Sequence, residues 1–81
     1  MNIIGIDLAV EGKDYTVLNS NVNGRVTNVS TSAVQIQEAS GKKHEYANLE
    51  EVSVEVGSQV SVGSLIGILD ASKGLHYGVS K

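Results

Sequence analysis

Across residues 22–62 the chain is written in short alternating runs that stop at glycine: Val34 and Ile36, then Val52, Val54 and Val56 before Gly57, then Val60 and Val62 before Gly63. A period of two sends successive side chains to opposite faces of an extended strand and gives no long stretch the apolar stripe that a helix would bury. Val and Ile supply most of the apolar content, Pro and Phe are absent and Gly occurs 9 times, a balance suited to pleated surfaces joined by tight turns. The expectation is an all-β fold with little or no helix.

With 81 residues the chain is expected to form one domain, 1–81. Six Lys and Arg against nine Asp and Glu give a formal charge of −3, so there is no cation excess to displace counterions from a phosphate backbone, and nucleic acid is not an expected partner. The absence of cysteine removes disulfides, thiolate catalysis and sulfur-ligated zinc. No window has the apolar length of a membrane span, and the start Met-Asn-Ile-Ile-Gly-Ile-Asp has no basic region ahead of an apolar stretch. A protein without signal peptide and without membrane contact is therefore expected, cytoplasmic as synthesised.

Residues 2–10 read as an apolar strand interrupted by Asp7, and Tyr15–Leu18 as a short strand closed by the polar cluster Asn19–Asn21. Val22, Val26 and Val29 mark the next strand, Val34 and Ile36 its hairpin partner, and together residues 22–37 are expected to leave edges on which copies of the chain pair. Gly41 signals a turn with a solvated Lys42-Lys43 tip. The returning strand carries His44, Tyr46 and Asn48 on one face and Glu45, Ala47 and Leu49 on the other, ending at Leu49. After the valine hairpins and the run Leu65–Leu69, a polar connection leads to a last strand, Leu75–Ser80.

The ordered set of landmarks resembles the lysostaphin-type, or LytM-like, zinc endopeptidases that cut peptide cross-bridges in bacterial walls. Ile3-Ile4-Gly5-Ile6-Asp7 stands where that family writes His-x-Gly-x-Asp, and Asn23-Gly24-Arg25-Val26 where it has a glycine turn. Tyr46-Ala47-Asn48-Leu49 replaces Tyr-Ala-His-Leu, the run Val54–Gly67 matches the valine-glycine hairpin, and Gly74-Leu75-His76 replaces His-Leu-His. The resemblance implies a compact antiparallel barrel-sandwich hybrid of the LytM-like core, also described as a duplicated hybrid motif. It also implies a groove holding Asp7, Tyr46, Asn48, His76 and Tyr77.

In that family three protein ligands and a labile water surround zinc, which brings the water pKa to about 7. Carried over position by position, Asp7 and His76 are retained as vestigial ligands, while Ile3 cannot ligate. Asn48 and Gly74 occupy the positions of the imidazoles that move protons, so no catalytic residue is expected, and neither zinc nor another cofactor is expected to be bound. An amide can donate to an oxyanion but does not shuttle protons near neutral pH. Asp7 and His76 are instead expected to pair with each other. The resemblance thus implies an inactive LytM-like module for binding or assembly, in a bacteriophage, prophage or cell-envelope component. Its partner would be a protein or a peptidoglycan-type peptide, with homo-oligomers formed at strand edges. Two other readings are an active zinc-dependent peptidoglycan endopeptidase completed by another subunit and a biotinyl or lipoyl-like carrier domain. For the carrier, Gly41-Lys42-Lys43-His44 lacks the Met expected beside a modified lysine.

Overall fold

The computed structural model describes residues 14–81, and among these the fold is all-β, with two antiparallel sheets and no helix. The strand expected over residues 2–10, with Asp7, lies outside the described residues. The strands are β1 (Tyr15–Asn19), β2 (Gly24–Val29), β3 (Ala33–Gln37), β4 (Lys43–Ala47), β5 (Leu49–Val52), β6 (Gln59–Val60), β7 (Leu65–Asp70) and β8 (His76–Ser80). One sheet has the order β1-β7-β5 and the other β6-β2-β3-β4-β8. Val26, Val34, Ile36 and Tyr46 from the larger sheet meet Leu49, Ile66 and Leu69 from the smaller one in a single buried cluster. Alternation within β3 and β4 puts Val34, Ile36, His44 and Tyr46 on this inner face, and Gln35, Glu45 and Ala47 on the outer one.

The two valine-glycine turns are built alike. In Glu55–Ser58 the Ser58 amide donates to the Glu55 carbonyl at 3.0 Å, and in Ser61–Ser64 the Ser64 amide donates to the Ser61 carbonyl at 2.9 Å. Gly57 and Gly63 take the left-handed φ of +97° and +95° that the third position of such a turn demands. Each turn then exchanges a pair of backbone hydrogen bonds with one distant residue, the first with Val26 and the second with Ser20. The sequence repeat Val-x-Val-Gly-Ser therefore corresponds to a repeated structural unit. The strand expected to run through Val54 and Val56 is shorter: regular pairing ends at Val52, because the turn that follows docks on β2.

Three expectations are corrected. Residues 22–37 do not form the outermost strands: β3 is paired along both sides, β2 pairs with β3 and, at Gly24 and Arg25, with the short β6, and the sheet order ends at β6 and β8. Gly24 is not a turn glycine but a strand residue, and a Cβ there would lie 2.5 Å from the Gln37 carbonyl oxygen. Leu49 does not end the returning strand. The chain breaks at Asn48, whose φ is 71°, and Leu49 opens β5 in the other sheet. Among the described residues no helix is long and apolar enough to cross a membrane.

Gly67 sits in β7 opposite Val52 of β5, and an added Cβ would lie 2.1 Å from the backbone oxygen of Glu51. Backbone cannot yield as a flexible side chain does, so Gly67→Ala is expected to cost about 3 kcal/mol. Gly57→Ala meets open space and is expected to cost about 1 kcal/mol through its left-handed φ alone. Urea denaturation of the two variants checks the order; equal losses would contradict it.

Candidate functional site

The last strand decides which of the expected groove residues come together. β8 pairs antiparallel with β4 in a register that sets His76 opposite Ala47, Tyr77 opposite Tyr46, Gly78 opposite Glu45 and Val79 opposite His44. Cross-strand partners share a face, so Tyr46 and Tyr77 belong to the inner face and His76 to the outer one. The expected groove is thereby divided by the sheet itself.

On the inner face the tyrosine rings are 5.1 Å apart between centroids and tilted by 46°. Tyr46 is buried and its hydroxyl donates to Asn21 Oδ1, while the Tyr77 residue remains 43% exposed. His44, buried beside them, faces the Tyr77 hydroxyl at 2.6 Å through Nδ1 and the Glu38 carboxylate through Nε2. An ionised carboxylate only accepts, so Nε2–H donates to Glu38, and in the neutral tautomer Nδ1 then accepts from the Tyr77 hydroxyl. This trio ties the hairpin tip to β8. Its imidazole is satisfied on both nitrogens, and it reads as a buried polar network of the scaffold. Burial pushes the Tyr46 phenol above its ordinary value of 10.0, with an opposing hydrogen-bond contribution from Asn21.

Asn48 belongs to neither face. Its left-handed backbone turns the chain from β4 into β5, and its carboxamide donates to the Gly74 carbonyl at 2.9 Å and to that of Lys73 at 3.5 Å. Gly74 is itself left-handed at φ +83°, with an amide that donates to the Asp70 carbonyl at 3.1 Å. The two positions that the resemblance assigns to proton-moving imidazoles are thus neighbours, and they are joined by a hydrogen bond. Lys73, next in the same turn, pairs with Glu50 at 3.1 Å, and that carboxylate holds its ammonium above the usual lysine range.

His76 is exposed on the outer face, above Ala47 and beside Gly78. With Glu45 these residues line a shallow depression of about 290 Å³. A second depression of about 220 Å³ continues across β3 and β2, lined by Ala33, Gln35, Asn28 and again Glu45. The expected pairing of His76 with Asp7 lies outside the described residues. As a zinc site the residues present do not fit: Ile3, at one of the three ligand positions, offers no donor side chain, and among the described residues no three His, Cys, Asp or Glu are grouped to hold a metal ion. No catalytic step is derived through zinc.

Sequence reasoning missed Asp70, a buried acid at the end of β7. Its Oδ1 accepts from the Ser72 amide at 3.0 Å, the Ser72 hydroxyl at 2.6 Å and the Asp14 amide at 3.4 Å. The Asp-x-Ser spacing at the head of a polar connection was the available signal. Glu38 was missed too, since nothing local marks it as the partner of His44.

Two outcomes follow from this geometry. Asn48→Ala is expected to lose about 2 kcal/mol, combining left-handed strain with a lost hydrogen bond, and Asn48→Gly to recover the backbone share. For Tyr46 the raised phenol pKa means that folding favours the protonated form. Its contribution is complete below pH about 10 and is lost as pH rises through the folded value. Tyr46→Phe should flatten the alkaline decline of the unfolding midpoint, and an unchanged slope would contradict this. In comparisons with known proteins, the chain matches no family model and no curated protein sequence.

Proposed function

We propose that the chain is a binding or assembly module, built on a LytM-like scaffold and catalytically inactive, that holds an extended peptide against the outer face of its five-stranded sheet. Such a module would serve in a phage particle or a cell-envelope component. The observation that carries this reading is the hydrogen bond from Asn48 to Gly74 at 2.9 Å. Where a hydrolase of this kind needs two imidazoles over an open site, this chain has a carboxamide capping a backbone carbonyl. Neither group exchanges a proton at neutral pH, and general acid–base catalysis typically contributes about 10²- to 10⁴-fold.

The face that remains is suited to binding. Ala33, Ala47 and His76 form one cross-strand row, and Asn28, Gln35, Glu45 and Gly78 the next. Small side chains at Ala33, Ala47 and Gly78 let a ligand backbone approach closely, while the exposed Asn28 amide offers a donor and an acceptor and Gln35, whose Oε1 accepts from Thr27 at 3.0 Å, offers its amide donor. The repeated Val-x-Val-Gly-Ser turns, each docked on one distant residue, agree with the duplicated architecture that the resemblance implies.

The test combines two assays on the intact protein: cleavage of a pentaglycine peptide with and without added zinc, and amide shift mapping with the same peptide. The expected outcome is no turnover in either condition, with shift changes centred on Ala33, Ala47 and Gly78. Zinc-dependent turnover abolished by His76→Ala would establish a working hydrolase and overturn the proposal.

A further inference from the structure

We propose that the peptide held on the outer face is recognised through a lysine-type ammonium by Glu45; this rests on the binding function inferred above. Glu45 is the residue shared by the two depressions, one running toward β2 and the other toward β8. Its side chain is exposed and, among the described residues, makes no ion pair and no hydrogen bond. Glu38, Glu50 and Asp70 are engaged with His44, Lys73 and Ser72; Asp14, Glu51 and Glu55 are exposed and, among the described residues, without an ion pair as Glu45 is, but line neither depression. Lys43, two residues along the same face and opposite Ser80, forms no ion pair with Glu45.

The position of this carboxylate determines the source of the charge. Stepping from Asn28 through Gln35 and Glu45 to Gly78 crosses three strand spacings, about 14 Å at about 4.8 Å each. That is the length of about four extended residues. Glu45 stands inside the span, not at its end, so a ligand filling both depressions passes over it with an internal residue. An internal cation is a side chain, whereas a terminal amine would leave one depression empty. The small residues Ala33, Ala47 and Gly78 on either side suit glycine-like flanks. The ligand class is therefore an extended, small-residue peptide with one lysine-type side chain, of charge opposite to the net −3 of the chain.

Calorimetric titration with three synthetic probes tests this: Gly-Gly-Lys-Gly-Gly blocked at both ends, the same peptide with Nε-acetyl-lysine, and pentaglycine with a free amine. The blocked lysine peptide is expected to bind at least tenfold more tightly than the other two, with a preference that weakens at raised salt. In Glu45→Gln, a surface change that leaves the unfolding midpoint in place, the three are expected to bind alike at the weaker level. Equal binding of the lysine and acetyl-lysine peptides by the native chain, or an undiminished preference in Glu45→Gln, would overturn the assignment while leaving a peptide-binding face standing. Pentaglycine binding as tightly as the lysine peptide would overturn the side-chain source. Failure of all three to bind would remove the binding function itself, and this inference with it.

Discussion

One residue, Asn48, resets the alternation on which the two-sheet structure depends. Along β4 the side chains point in and out by turns, with Tyr46 inward and Ala47 outward. An unbroken strand would send Asn48 into the core and Leu49 to solvent. A single residue at φ 71° reverses that parity: Asn48 is exposed and Leu49 becomes part of the buried cluster. Asparagine tolerates this backbone region better than most residues, and here its side chain also finds backbone acceptors in the 73–74 turn. The Leu49 amide meanwhile donates to the Ser32 carbonyl at 2.9 Å, which fixes the start of β5 against the β2–β3 connection. The crossing between sheets, the approach to β8 and the shape of the outer face all follow from that local conformation.

Much of the fold was legible in the sequence because it is local. The hairpin at Gly41, the turns at Gly57 and Gly63, the short strand beginning at Tyr15 and the final strand all appear where periodicity and glycine place them. Nonlocal features were not legible. Alternation alone carried the His44 face through Tyr46 to Asn48 and could not register a parity change, which depends on one φ angle. It could not reveal that β2 and β3 would be flanked on both sides, since β6 and β8 come from later in the chain. Alternation puts the neighbours His76 and Tyr77 on opposite faces, but which of them points inward is set by a register between β4 and β8 some thirty residues apart.

The candidate site shows the same division. The resemblance singled out Asn48 and Gly74 as a pair, and their contact is a property of the fold. Tyr46 and Tyr77, expected in a groove, meet on the inner face, where Tyr77 with His44 and Glu38 ties the hairpin tip, β4 and β8 together and the Tyr46 hydroxyl donates to Asn21. The outer face keeps His76 with small neighbours and a lone carboxylate at the junction of two depressions. The outer face offers hydrogen-bonding amides and charged groups, and the proposed binding role rests on it. A rigid sheet face is well suited to that role, since its spacing is fixed by the same backbone bonds that hold the fold.

The Asn48 side chain gives the most direct measurement of this account. Nuclear magnetic resonance of the native chain should find its carboxamide protons exchanging with solvent more slowly than those of the exposed Asn28, with carbon shifts typical of a left-handed residue. Exchange at the rate of Asn28, with shifts typical of an extended strand, would show that β4 runs on through Asn48, and the bridge to Gly74 would not exist.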